Sequence, residues 1–145
     1  MEVQSIQEIE AEIIAEFGLF DDWMDKYNFL IEMGKEIPLI DPKFKIKNNL
    51  ISGCQSRVWL HAVHEDGKIT FTADSDAVIT KGIANVLIRV MNNQSPDAII
   101  NAEFSFVDQI GLKEHLSPTR SNGLLSMIKQ MKLYALAFKT KSAQA

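Results

Sequence analysis

The sequence predicts an α+β domain, a small antiparallel β-sheet packed against helices, and three observations predict it. Apolar residues recur three and four apart near both ends of the chain and again after its middle, the spacing of helices with one buried side. Around Asp66-Gly67 the period drops to two, the sign of a hairpin. The strands lie in the middle, with helices before and after them.

The 145 residues suffice for a single domain, 1–145, able to bury about two thirds of its unfolded surface without disulfides or a structural metal. In order, Ile6, Ile9, Ile13 and Phe17 predict an amphipathic helix over residues 3–17, ended by Gly18. Asp21 or Asp22 caps a second helix carrying Trp23, Tyr27, Leu30, Ile31 and Gly34 on one side. Pro38 and Pro42 then impose an irregular arm up to about Lys47. Along this arm Lys43, Lys45 and Lys47 alternate with Phe44 and Ile46, which reads as one solvated face.

A short strand is expected at Asn48 to Ile51. Val58, Leu60 and Ala62 alternate with Trp59, His61 and Val63, and Ile69, Phe71 and Ala73 alternate with Lys68, Thr70 and Thr72 across the hairpin. Asp74-Ser75-Asp76 supplies caps for a helix burying Ile79, Ile83, Val86, Leu87 and Val90, which Asn92 and Asn93 close. Ser95-Pro96 opens a short helix, and Phe104, Phe106, Ile110 and Leu112 belong to the core. Ser117 or Ser121 caps the last helix, whose stripe is Leu124, Ile128, Met131, Ala135 and Phe138.

Composition narrows the function. Fifteen basic against nineteen acidic side chains give a net charge of −4, with no basic face for nucleic acid. No stretch reaches the ~20 apolar residues of a membrane span, and residues 1–4 offer neither a basic n-region nor an apolar h-region, so a cytoplasmic location is expected. His61, His64 and His115 lack metal-ligand spacing, and the seven glycines form no phosphate-binding loop. A cluster scaffold would need several thiolates, and this chain has one cysteine.

That residue, Cys54, is the candidate nucleophile. Ser52, Gly53, Gln55, Ser56 and Arg57 bracket it, none of them a core residue, and Gly53 permits a tight turn before the strand that follows. His61 is close in sequence, but reads as a strand residue rather than a base, and His115 as a structural hydrogen-bonder. A single thiol without a hydrolytic apparatus leaves thiol exchange as the available chemistry. Two alternatives remain open: a redox-sensing thiol protein, and an interaction module with an incidental cysteine.

The run Ser52-Gly53-Cys54-Gln55-Ser56-Arg57-Val58-Trp59 resembles the active-site loop of the SufE family, the sulfur-acceptor partners of cysteine desulfurases. Three further blocks in family order strengthen the resemblance. They are Trp23, Lys26-Tyr27, Leu30-Ile31-Glu32-Met33-Gly34 with Pro38; Asp74-Ser75-Asp76-Ala77 with Lys81-Gly82; and His115-Leu116-Ser117-Pro118-Thr119-Arg120-Ser121-Asn122-Gly123-Leu124 with Met127. Together they span about Phe17 to Met131, with Met33 in place of the usual Leu and Arg57 in place of the usual Gln.

The resemblance implies a SufE/IscU-like fold and a covalent sulfur carrier rather than an enzyme. Cys54 would take persulfide sulfur from a SufS-like desulfurase and pass it to an iron–sulfur cluster scaffold. Pyridoxal phosphate would belong to the desulfurase, leaving this chain without a cofactor or metal, and neither nucleic acid nor a membrane would be a partner. Arg120, Asp76, Gln55 and Ser56 are the expected contacts to the desulfurase. Asp76 has an alternative local role as a helix N-cap, whereas Arg120 has no evident local partner in the sequence. Apolar residues beside the loop are expected to shelter the thiol until the partner docks.

Overall fold

Helix α3 (Val78–Met91) is buried on nearly every side, because Ala84, Ile88 and Met91 are buried as well as the expected Ile79, Ile83, Val86, Leu87 and Val90. The computed structural model describes residues 5–51 and 56–144. Around α3 stand α1 (Ile6–Phe17), α2 (Trp23–Gly34), a hairpin of β1 (Val58–Glu65) and β2 (Lys68–Ser75), and α7 (Pro118–Gln144). Between α3 and α7 come the shorter α4 (Pro96–Asn101), α5 (Phe106–Gln109) and α6 (Leu112–His115). The architecture is α+β, as the sequence predicts.

The expected stripe of α1 is buried in full, with Ser5 capping its start by accepting from the Glu8 amide. Asp22 caps α2 through the Met24 amide at 2.8 Å. Leu30, Met33 and Gly34 form the buried edge of α2, while Trp23, Tyr27 and Ile31 are partly covered. Gly34 and Gly82 let α2 and α3 approach closely. A Cβ on Gly82 would lie 2.1 Å from the Leu30 carbonyl oxygen, and one on Gly34 2.7 Å from the Gly82 nitrogen. Beside this contact the Asn85 side-chain amide donates to the Met33 carbonyl at 2.6 Å. Arg89 reaches Glu16 through Nη1 and Oε1 at 2.9 Å and so ties α3 to α1.

Asp66 and Gly67, with φ of 55° and 77°, make the hairpin turn, and both values match the right-handed twist of the strands they join. The register pairs Val58 with Ser75 and Glu65 with Lys68. Val58, Leu60, Ala62, Ile69, Phe71 and Ala73 form the buried side.

The third strand expected at Asn48 to Ile51 is absent. Residues Lys47–Asn49 form a 3-10 turn, and only an isolated bridge of Leu50 with Trp59 and the Ile51 amide on the Val58 carbonyl link this segment to β1. Consecutive Lys, Asn and Asn have little to gain from a pleated, half-buried surface.

The arm before that turn is fastened to the outer side of the hairpin. Phe44 stacks on His61 with centroids 3.8 Å apart, and Lys45 pairs with Asp74 while its Nζ lies 5.2 Å from the Trp59 ring centroid. Lys43, Lys45 and Lys47 all remain exposed, as one solvated face requires, and Lys45 in addition pairs with a carboxylate that it meets only after folding.

Helix α7 braces both sides of the domain. Lys132 Nζ donates to the carbonyls of Ile100 and Ala102 at the end of α4, at 3.2 and 2.6 Å. Tyr134 donates its hydroxyl proton to the Leu60 carbonyl on β1 at 3.1 Å. Ser117 accepts from the Arg120 amide at 3.3 Å, capping the helix as expected.

Candidate functional site

Three chain segments far apart in sequence converge where β1 begins. Residues 56 and 57 lead into the strand, residues 76–80 open α3, and residues 119–127 form the first turns of α7. Together they line a cleft of about 480 Å³ whose walls include Ser56, Asp76, Thr80, Arg120 and Met127. Thr119, Arg120, Gly123 and Met127 follow helical spacing, so one side of α7 forms a whole wall.

The polar groups are mutually bonded. Arg120 Nη1 donates to Thr80 Oγ1 at 3.1 Å, and Thr80 Oγ1 lies 3.1 Å from Ser56 Oγ. Asp76 Oδ1 accepts from the Arg57 amide at 3.0 Å, and the Asp76 amide donates back to the Arg57 carbonyl at 3.3 Å.

Asp76 is thus not the N-cap of α3. The capping position is Ala77, whose side chain cannot cap, and the Ala77 amide is taken by Ser75 Oγ at 3.2 Å. Strand β2 runs on to Ser75, so the carboxylate one residue later projects across the strand pair to the start of β1. Arg120 has its side-chain partner far off in sequence, Thr80, 40 residues away.

Next to the cleft, burial alone would raise the Asp74 carboxyl, but hydrogen bonds from Lys45, the Ser75 amide and Lys81 outweigh it and hold the group below the ordinary carboxylate value. Lys81 reaches it at 3.2 Å from α3. The ion pairs therefore join the arm, β2 and α3.

Of the residues expected at the site, Ser56, Asp76 and Arg120 are brought together. Cys54 and Gln55 lie outside the described residues, as do Ser52 and Gly53, and Cys54 is two residues from Ser56 along the chain. His61 stacks on Phe44, and the His115 ring stacks on Trp23 at 4.4 Å, a ring contact in place of the hydrogen bonds expected of it. Among the described residues no three His, Cys, Asp or Glu side chains are grouped to hold a metal ion, and no helix is long and apolar enough to cross a membrane.

Sequence reasoning missed Thr80, which is only 6% exposed, and Val78, which is 63% exposed in the first turn of α3 beside Asp76. Val78 was detectable as an apolar residue off the helix stripe. Thr80 gave no signal, because its partners are 24 and 40 residues away.

Residues 11–135 match the domain family described as "SufE: Fe-S metabolism associated domain". The chain belongs to the SufE family. An uncharacterized SufE-like protein of Rhizobium meliloti (strain 1021) is 36% identical over 126 residues, covering 83% of this chain and 90% of that protein. An uncharacterized SufE-like protein of Synechocystis is 34% identical over 128 residues, 88% of this chain and 80% of the other. The SufE-like protein 1, chloroplastic/mitochondrial, of Arabidopsis thaliana is 34% identical over 147 residues; this covers 99% of the present chain but 40% of the plant protein, so the chain spans less than half of that relative. The solution structure of a hypothetical protein from Thermus thermophilus superposes with a TM-score of 0.76 at 21% identity, covering 91% of this chain and 96% of the other, and shares the fold. As a SufE domain, the chain is associated with Fe–S metabolism.

Proposed function

We propose that this chain is a sulfur acceptor and activator of a SufS-like cysteine desulfurase, with Cys54 as the acceptor. The observation that carries the reading is the cleft at the base of β1, where the flank of the cysteine segment, Ser56, meets the charged Asp76 and Arg120 beside an exposed Val78. Family membership supplies the chemistry. Cys54, as thiolate, attacks the terminal sulfur of a persulfide on the desulfurase. The partner's S–S bond breaks as the new one forms, and the partner's cysteine leaves as a thiolate that regains the proton. No net oxidation occurs, so neither oxidant nor reductant is required.

The sulfur on Cys54 then passes to an iron–sulfur cluster scaffold. Pyridoxal phosphate stays with the desulfurase, and this chain acts in the cytoplasm as a covalent carrier without a small-molecule substrate of its own. Arg120 offers a planar fork to a partner carboxylate or carbonyl, and Asp76, Gln55 and Ser56 complete the contact. The test is incubation with desulfurase and cysteine followed by intact mass. Added sulfur is expected on the wild type and not on a folded Cys54→Ser chain; sulfur on that variant, or peroxide oxidation of Cys54 with no uptake from the desulfurase, would overturn the reading.

A further inference from the structure

Helix α7 lines a second hollow on its other side. Thr119, Arg120, Gly123 and Met127 look into the cleft, whereas Leu125, Lys129, Lys132 and Leu136 fall on the opposite face at about 3.6 residues per turn. There α7 and the α4–α5 corner enclose a groove of about 660 Å³, with Ile100, Phe104 and Val107 on one bank and Leu125, Leu133 and Leu136 on the other. The three leucines are each about half exposed, an apolar surface left open to solvent.

The groove is preformed. Lys132 Nζ, held by the Ile100 and Ala102 carbonyls, lies 5.4 Å from the Phe104 ring centroid and pins the corner to α7. Phe104 is buried with φ of 59°, a left-handed conformation that a bulky residue keeps only where its surroundings hold it. The two banks also differ in charge. Helix α7 carries Arg120, Lys129, Lys132, Lys139 and Lys141 with no Asp or Glu, and Lys129 is exposed on the groove side. Across from it stand Glu103 and Asp108, and behind Glu103 is a further carboxyl, Glu10, raised by burial first and by Glu103 second.

We propose that this groove docks an amphipathic helix of a partner protein, one whose apolar stripe is bordered by carboxylates on one side and by lysine or arginine on the other. The carboxylates meet Lys129 and the basic border meets Glu103 and Asp108, while apolar anchors three and four apart cover Leu125, Leu133 and Leu136. A second copy of this chain is the poorer fit, because the two-fold register that sets Leu125 against Leu136 also sets Lys129 against Lys132. An anionic membrane surface would press its charge on Glu103 and Asp108. Groove and cleft occupy opposite sides of α7, so this partner and a desulfurase bind without competing.

The experiment is titration of the full chain with fluorescein-labelled synthetic helices, read by anisotropy. All have the same leucine stripe; one has a glutamate border and a lysine border, a second has glutamate on both, and a third has lysine on both. The mixed helix should bind most tightly. Leu136→Asp, a change at an exposed position, should weaken it about tenfold. Lys129→Glu makes both banks acidic, so the all-lysine helix should overtake the mixed one, a reversal that lost packing would not produce. No binding of the mixed helix, binding indifferent to Leu136→Asp, or a Lys129→Glu chain that still prefers the mixed helix overturns the proposal. So does a dimer in light scattering, or co-sedimentation with phosphatidylglycerol vesicles, that Leu136→Asp abolishes, because a second copy or a membrane would then fill the groove. Desulfurase stimulation should be the same with the groove saturated by the mixed helix, and its loss would make the groove part of the desulfurase contact and overturn the proposal. A wild type that binds the mixed helix but stimulates no desulfurase defeats the carrier reading alone and leaves the groove assignment standing.

Discussion

Gly82 lies so tightly under Leu30 that a single added carbon would stand 2.1 Å from the Leu30 carbonyl oxygen. The obstacle is backbone, which cannot swing aside as a side chain can. Alanine is the better helix former by about 1 kcal/mol, yet here it must push α2 from α3. Gly82→Ala is expected to destabilise the domain by about 3 kcal/mol, the upper end of overpacking costs. Urea denaturation checks this, and a midpoint equal to wild type would refute the close approach.

Asp74 joins the arm to α3 by accepting from Lys45 and Lys81, and its carboxyl is held below the usual value. A lowered folded pKa contributes stability that is complete above the unfolded value, about 3.9 for Asp, and is lost as pH falls through the folded value. Asp74→Asn should therefore cost about 2 kcal/mol at neutral pH. The gap between variant and wild type should close on acidification. Urea midpoints across the acid range measure it, and a gap that persists in full below the carboxylate range contradicts the assignment.

Arg120 faces the cleft with one nitrogen on Thr80 and the rest of its fork available to a partner. Arg120→Ala should raise the concentration of this chain needed for half-maximal desulfurase stimulation about tenfold, or roughly 1.4 kcal/mol of binding, with little change in the maximal rate. Loss of the Thr80 bond should lower stability by about 1 kcal/mol. Lysine should not restore docking, since it lacks the planar fork. Calorimetric binding equal to wild type would move the docking surface elsewhere.

Tyr134 bonds the Leu60 carbonyl and so seats α7 on β1. Tyr134→Phe is expected to cost about 1 kcal/mol. Burial raises the Tyr134 phenol above its ordinary value. The stability this gives is complete below the unfolded value, near pH 10, and is lost as pH rises through the folded value. A phenolate absorbance titration should lose its upper part in the variant; an unchanged curve would place the late-titrating group elsewhere.

Local pattern determined most of the elements. The stripes of α1 and α7, the latter with Ile128 and Phe138 partly covered, the Asp22 and Ser95 caps and the Asp66-Gly67 turn depend on residues within a few positions of each other, and all are found. The family blocks also marked Gly34 and Gly82 without saying why, and Asp76 and Arg120 as expected partner contacts without saying what holds them. The reasons are tertiary. Gly34 and Gly82 must be glycine because two helices cross there, Asp76 serves the Arg57 amide rather than its own helix, and the exposed Lys45 pairs with Asp74. The strand expected at Asn48 to Ile51 gives way to a turn over Lys47–Asn49, which leaves an isolated bridge from Leu50 to Trp59 on β1. Thr80 is the clearest case. A hydroxyl within an aliphatic helix has no local meaning, and it acquires one only when folding brings Ser56 and Arg120, 24 and 40 residues distant, within hydrogen-bond reach.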